Sequence, residues 1–211
     1  HLASADQLDG STTAEQLERF RPIVSGFDGD VSIGNTPATL GWPAVVNAQS
    51  EFGFTGENWI RPGIALFGVS PFSDKTGTEL GLKPVMQFEA RLIAIKPLKS
   101  GERVGYSGAY ASDKDTMIGI ISAGYGDGYS RHFSSGTPVL INGRKVRVVG
   151  NVSMDMIAVD LGNNPDDRVG DIATLWGDGL PVEEVAPYAN AIPYELVCGV
   201  MNREDSEIVR A

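Results

Sequence analysis

Cysteine, histidine and long apolar runs are what this sequence lacks, and each shortage removes a class of protein. Cys198 is the single cysteine, so there is no internal disulfide framework, which suits a reducing cytoplasm. His1 and His132 are the only histidines, and with one cysteine they offer no zinc-ligand spacing. No apolar stretch approaches the ~20 residues that cross a bilayer as a helix. Position 1 is His rather than Met, and no charged segment followed by an apolar one marks a secretion signal. The chain therefore reads as processed or cut. Positive charge is scarce as well: 17 Lys and Arg against 27 Asp and Glu leave a formal net charge of -10. That balance repels nucleic acid and anionic membrane.

What is present is enough to fold. Hydrophobic residues at 42% and charged residues at 21% of 211 positions can bury a sizeable core in one or two domains. Residues 13–27 read as a short helix with Leu17 and Phe20 inward. Val31–Ile33 is a brief apolar strand that stops at Gly34-Asn35, residues 39–47 are helical on one side of Pro43, and residues 60–69 form a strand and turn. Strand, helix, strand is the rhythm of a parallel sheet.

The texture changes after Ser70. The polar, turn-rich segment 71–78 gives way to β-rich sequence: Phe88–Ile95, Met117–Ala123, Val152–Leu161 and Asp171–Trp176 read as strands. Pro138–Ile141 and Arg144–Val149 form a hairpin about Asn142-Gly143, the pair that supplies the positive φ angles of a type I′ turn. Residues 181–189 and 194–200 read as short helices. The fold class is α/β followed by mainly β. Residues 1–75 are the tail of an α/β domain with too few units to close alone, and residues 76–211 are a β-rich domain.

Several motifs sit on this frame. Gly124-Tyr125-Gly126-Asp127-Gly128 follows an apolar strand, as a nucleotide loop does. A phosphate loop must open a helix, and the following Tyr129-Ser130-Arg131-His132-Phe133 is not one, so this is a structured turn. Asn151-Val152-Ser153 matches a glycosylation sequon by chance in a chain without a secretion signal. Arg61-Pro62-Gly63-Ile64 is either a strand-end turn with a surface arginine or a site, because βα loops carry function and glycine lets a backbone N–H approach an anion. Tyr106 stands among glycines, by default a half-buried turn residue like Tyr125, Tyr129 and Tyr194. A tyrosine becomes an acid or base only beside a cation that lowers its pKa from ~10. Arg131 and His132 are cations near in sequence, but spacing does not bring them to Tyr106. Residues 152–155 read as ordinary strand. Residue types alone thus give an enzyme-like architecture without a named reaction.

In their order, however, these segments resemble the alanine racemase family. His1-Leu2-Ala3-Ser4-Ala5-Asp6, Asn35-Thr36-Pro37-Ala38-Thr39, Arg61-Pro62-Gly63-Ile64, Val104-Gly105-Tyr106, the Gly124–Gly128 segment with Arg131, Val152-Ser153-Met154-Asp155 and Ile192-Pro193-Tyr194-Glu195 follow at family-like spacings. The resemblance implies the C-terminal units of a pyridoxal 5′-phosphate-binding (β/α)8 barrel, then a β-rich domain. It also implies a cytoplasmic homodimer with active sites shared between subunits. The reaction it implies is interconversion of L- and D-alanine by two bases, a lysine and a tyrosine, supplying D-alanine for peptidoglycan.

The residue roles come with the resemblance. Arg61 would bond the pyridine nitrogen, with His1 as its partner. Thr36, the backbone at Gly63 and Ile64, and Tyr194 would hold the phosphate. Tyr106 would be the tyrosine base, reaching into the other subunit's site, and Met154 would offer its N–H to the substrate carboxylate. Asp6, Tyr125 and Arg131 would line the entry channel. Thr36-Pro37 replaces the usual Ser-Ala, which keeps the hydroxyl and removes one donor, and Asn151 stands where an arginine is common. None of Lys75, Lys83, Lys96, Lys99, Lys114 and Lys145 lies in the family's lysine motif. That lysine, and the arginine that pairs with substrate, are expected upstream of His1 in a missing N-terminal half. Two rivals share the architecture: a broad-specificity racemase, and a basic amino-acid decarboxylase, which Arg61 argues against because its pyridine nitrogen normally meets a carboxylate. A third rival is a non-catalytic β module that has lost its enzyme half.

Overall fold

The computed structural model describes residues 1–163 and 166–200 and divides into two units, His1–Val85 and Met86 onward. The division falls after the polar segment 71–78 rather than at residue 75. In the first unit, helix α1 (Ser11–Val24) buries Thr13, Leu17 and Val24 and tolerates Pro22 near its end. It begins and ends earlier than 13–27, because Ser25 is extended and Gly26 turns with φ 75°. Strand β1 (Val31–Asn35) runs into three short helices, α2 (Thr36–Gly41), α3 (Pro43–Val46) and α4 (Ala48–Phe52), and then into β2 (Asn58–Arg61). β1 and β2 pair in parallel, with Asn35 opposite Arg61, so both strands end on the same side. Leu2, Ala5, Leu17, Ile33, Val45 and Phe52 belong to the core beneath them, with Phe20 packed against it.

The second unit contains a closed barrel. Its strands are β3 (Phe88–Leu98), β6 (Thr116–Ile121), β7 (Pro138–Ile141), β8 (Arg144–Val148), β9 (Ile157–Gly162) and β10 (Ile172–Trp176), with a small pair, β4 (Arg103–Val104) and β5 (Tyr110–Ala111), between β3 and β6. Around the barrel the order is β3, β6, β9, β8, β7, β10 and back to β3, every pairing antiparallel. Closure rests on β3, eleven residues long. Its first part pairs with β10 and its remainder with β6. Leu92, Ile121, Ile141, Val148, Val159, Leu161 and Leu175, drawn from all six strands, are buried almost completely. Strand β9 alternates buried and half-buried residues along its length, the period expected of a strand with one face inward. Gly119 makes room for this packing, since a Cβ there would lie 2.7 Å from Leu92 Cδ1 and 3.1 Å from both Leu161 and Val159.

The Asn142-Gly143 turn has φ of 49° and 74°, as a type I′ turn requires. Its tip is stapled: the Asn142 amide donates to Asp171 at 2.7 Å, and Arg144 pairs with Asp167. The Arg168 N–H, and then the Asn142 amide, hold the Asp171 carboxyl below its usual range. Outside the barrel, Val104 and Tyr110 of the β4–β5 pair pack on Leu98, Ile118 and Val149, which carries the loop between β4 and β5 back along the barrel wall. The short helices α5 (Val182–Val185) and α6 (Pro193–Gly199) follow.

One strand expectation fails. Residues 150–156 are a loop, and β9 starts only at Ile157. Gly150 turns with φ 74°, and the Ser153 N–H closes on Met156 O at 3.0 Å, so the apolar run is spent on a turn rather than a ladder. For the barrel itself, Gly119→Ala should cost about 1–3 kcal/mol by overpacking. Part of that cost should vanish in a Leu92→Ala background, because the nearest clash is then gone. Urea denaturation of the two single variants and the double variant measures the coupling, and simple additivity would contradict it.

Candidate active site

In the first unit the candidate residues gather at the carboxyl ends of β1 and β2. Arg61 is the last residue of β2 and Asn35 the last of β1. Arg61 Nη1 donates to Ser32 O at 2.9 Å and to the Ser32 hydroxyl, which fixes one edge of the guanidinium. Its other nitrogen, Nη2, lies 3.5 Å from His1 Nδ1. His1 Nε2 in turn sits 3.4 Å from the Asn35 amide, and that amide also donates to Leu2 O at 3.1 Å. The arginine is thus oriented from both sides and remains exposed.

Thr36 follows Asn35 directly as the buried first residue of α2, with Asn35 capping the helix through Ala38 N–H at 3.2 Å. Beyond Arg61, a Cβ on Gly63 would meet nothing within 4 Å. The Gly63 N–H, however, bonds Arg61 O at 3.0 Å, so as folded this amide is not free for an anion as the sequence suggested. Ile64 opens the 3-10 turn Ile64–Phe67, so its N–H has no acceptor within that turn. Asp6 is exposed in the opening turn of the chain. Among the described residues no group of three or more His, Cys, Asp or Glu could hold a metal ion.

In the second unit three loops converge. Tyr106 tops the β4–β5 turn and is 73% exposed. Gly105 and Gly108 take φ of 82° and 59°, and Ser107, which has a side chain, takes 60°, a conformation that costs such a residue about 1–2 kcal/mol. Arg103 secures the turn by donating to Gly108 O at 2.8 Å, and the Asn151 amide reaches Tyr106 O at 3.5 Å. The second loop is 150–156, with Met154 50% exposed. The third is the Gly124–Gly128 turn, whose Tyr125 is 44% exposed. It lies directly on the second loop: Tyr125 N–H donates to Ser153 O at 3.0 Å and Gly126 N–H to Met154 O at 2.8 Å. Gly124 must be glycine here, because a Cβ would stand 2.3 Å from Ser153 O.

The tyrosines separate by environment. Tyr129 is fully buried against Phe133, ring centroids 4.3 Å apart, and Trp176. Burial pushes its phenol far above the usual range, which excludes it as an acid or base. Tyr106 and Tyr125 reach solvent instead. Tyr194, on the first turn of α6, is 38% exposed, and Arg131 and His132 are both exposed. Sequence reasoning missed Ser32, which register with β2 would have suggested. It also missed Asp127, an Asp among glycines of the kind that bonds its own backbone.

Comparison with known proteins covers nearly the whole length of the chain. Residues 1–71 match the family model "Alanine racemase, N-terminal domain" and residues 85–208 match "Alanine racemase, C-terminal domain". An alanine racemase of Vibrio parahaemolyticus is 47% identical over 100% of this chain and 56% of its own length. One from Vibrio cholerae is 49% identical over 96% of this chain and 54% of its own. The biosynthetic alanine racemase of Pseudomonas aeruginosa superposes with TM-score 0.84 at 40% identity, covering 96% of this chain and 54% of that one. An alanine racemase of Bartonella henselae with covalently bound pyridoxal phosphate gives 0.79 at 31%, again over 96% and 54%. This chain spans about half the length of the curated relatives it matches. With both family models matched in order along it, the chain belongs to the alanine racemase family.

Proposed function

We propose that the protein carrying this chain interconverts L- and D-alanine with pyridoxal 5′-phosphate, as a homodimer in the cytoplasm, and that its first unit contributes the last strands of a cofactor-binding (β/α)8 barrel. What carries the reading is the match to both halves of one enzyme family, on a chain whose Tyr106 is held out to solvent on a bent, hydrogen-bonded turn. When bound, the cofactor supplies the electron sink that acidifies the substrate Cα–H.

The first unit fits that cofactor. Arg61 is a permanently protonated donor oriented by Ser32 and His1, suited to an unprotonated pyridine nitrogen. The Thr36 hydroxyl and the Ile64 N–H are the phosphate donors, with open space at Gly63. The phenol assigned to the phosphate is Tyr194, which belongs to the second unit. In the second unit Tyr106 moves the proton on one face of Cα, and a lysine outside this chain serves the other. The Met154 N–H takes the substrate carboxylate, while Asp6, Tyr125 and Arg131 line the approach. The supply of D-alanine to peptidoglycan follows from the same reading.

Two experiments test this in the full-length holoenzyme. Tyr106→Phe keeps the ring and deletes the proton-carrying oxygen, so kcat for racemisation should fall ~10²–10⁴-fold with the thermal midpoint nearly unchanged. Near-normal rates would return Tyr106 to a packing role. Arg61→Glu would favour a protonated ring nitrogen. Racemisation should then slow, long-wavelength cofactor absorbance should grow and transamination products should accumulate. Parent-like spectra and rates would place Arg61 away from the cofactor.

A further inference from the structure

The reading of Met154 as the carboxylate-binding amide exposes a second layer that neither sequence nor family match assigns. In a trans peptide the C=O of one residue and the N–H of the next share a plane and point in opposite directions, and the described chain has no cis peptide bond. The Met154 N–H therefore points opposite to Ser153 O. Ser153 O is fixed by the Tyr125 N–H at 3.0 Å, and the next carbonyl, Met154 O, by the Gly126 N–H at 2.8 Å. Two successive amides of one turn thus clamp both carbonyls that flank the Met154 amide, and turn that amide away from the Gly124–Gly128 segment.

The turn is itself folded by one carboxylate. Asp127 is 8% exposed, and its Oδ2 accepts from the Gly124 N–H at 2.9 Å, closing the turn across the residues that present the two clamping amides. The Asp127 N–H returns to Gly124 O at 3.1 Å, and the Tyr129 N–H shares that acceptor at 3.1 Å. Tyr129 is anchored in the barrel by Phe133 and Trp176. Beside Tyr129, Gly128, φ 101°, lies against the backbone of Gly199 and Val200, where a Cβ would be 2.4 Å from Gly199 O. The turn is thus anchored where it ends, and the Asp127 carboxylate closes it back onto its first residue, Gly124. Bonding at Ser153 O also polarises the shared peptide, which strengthens the Met154 N–H as a donor.

We propose that Asp127 is a positioning residue: through the Gly124–Gly128 turn it aims and strengthens the Met154 N–H that takes the substrate carboxylate. The proposal rests on the reading of Met154 given above. It predicts an effect on carboxylate binding that a purely structural aspartate would not produce.

The test uses the full-length holoenzyme and propionate, which is alanine without its amino group, as a competitive probe. Asp127→Asn keeps the shape and one oxygen but replaces a charge-assisted bond by a neutral one. KM for alanine and Ki for propionate should rise together, ~5–20-fold, less than for outright loss of one charged hydrogen bond because the Met154 N–H is misaimed rather than removed, while kcat changes less and the thermal midpoint stays near that of the parent. Asp127→Glu, which restores the charge, should recover part of the loss. Unchanged KM and Ki in a folded Asp127→Asn protein overturn the positioning role and leave the Met154 reading intact. Failure of propionate to compete in the parent overturns both. Should Asp127→Asn not fold, amide signals of the parent decide: Tyr125 and Gly126 amides should be protected from exchange, and the Met154 amide should shift on adding propionate. Rapid exchange of the two clamping amides, or a Met154 amide indifferent to propionate, contradicts the proposal.

Discussion

Closure of the six-stranded barrel through β3 is the constraint on which the second unit depends. One strand pairs with β10 over its first residues and with β6 over the rest, and that shared use removes the free edges an open antiparallel sheet would leave. It also fixes which loops meet. Ile121 at the end of β6 lies opposite Ile157 at the start of β9, so the turn after β6 and the loop before β9 leave the barrel at the same rim. Their mutual hydrogen bonds follow from that register. The β4–β5 pair starts elsewhere, because Leu98 lies opposite Thr116 at the other end of β6. It reaches the same rim by laying Val104 and Tyr110 along the outer barrel wall.

This arrangement explains why rigid and exposed parts alternate along so short a stretch. Leu92, Ile121 and Leu161 hold the interior, while Tyr106, Tyr125 and Met154 stand at its rim on backbone that is bonded at every turn. Loops positioned by a stiff scaffold are where binding and catalytic residues are disproportionately found. Glycine contributes here through its missing side chain: Gly124 permits backbone contact with Ser153 and Met154, and Gly119 permits Leu92 to fill the core.

Much of the fold is legible in the amino-acid sequence itself. The parallel β1–β2 pair, the Asn142-Gly143 hairpin and the rejection of Gly124–Gly128 as a helix-opening loop rest on local chemistry, which short windows of sequence record. Barrel closure is not legible there, because it depends on pairing β3 with β10, residues far apart in the chain. The loop at 150–156 reads as strand because its apolar residues have a strand-like pattern. The turn at Gly150 and the Ser153–Met156 bond break the ladder locally, and the distant Tyr125 and Gly126 amides, which take its carbonyls, hold the loop in place. Residues with a side-chain signature, such as Arg61 and Tyr106, stand out in their motifs. Ser32 acts through strand register, which short windows of sequence do not record, whereas Asp127 leaves only the general mark of an Asp among glycines.

In the proposed reaction, proton transfer at Cα uses two groups on opposite faces, one of them Tyr106. Exchange of the Cα hydrogen with deuterated solvent tests it most directly, followed separately for L- and D-alanine in the full-length holoenzyme carrying Tyr106→Phe. The predicted result is that one enantiomer still exchanges its Cα hydrogen without inverting, because the base on its face remains, while the other exchanges far more slowly. Equal exchange of both enantiomers would contradict the claim, since removing Tyr106 would then have left both faces as they were.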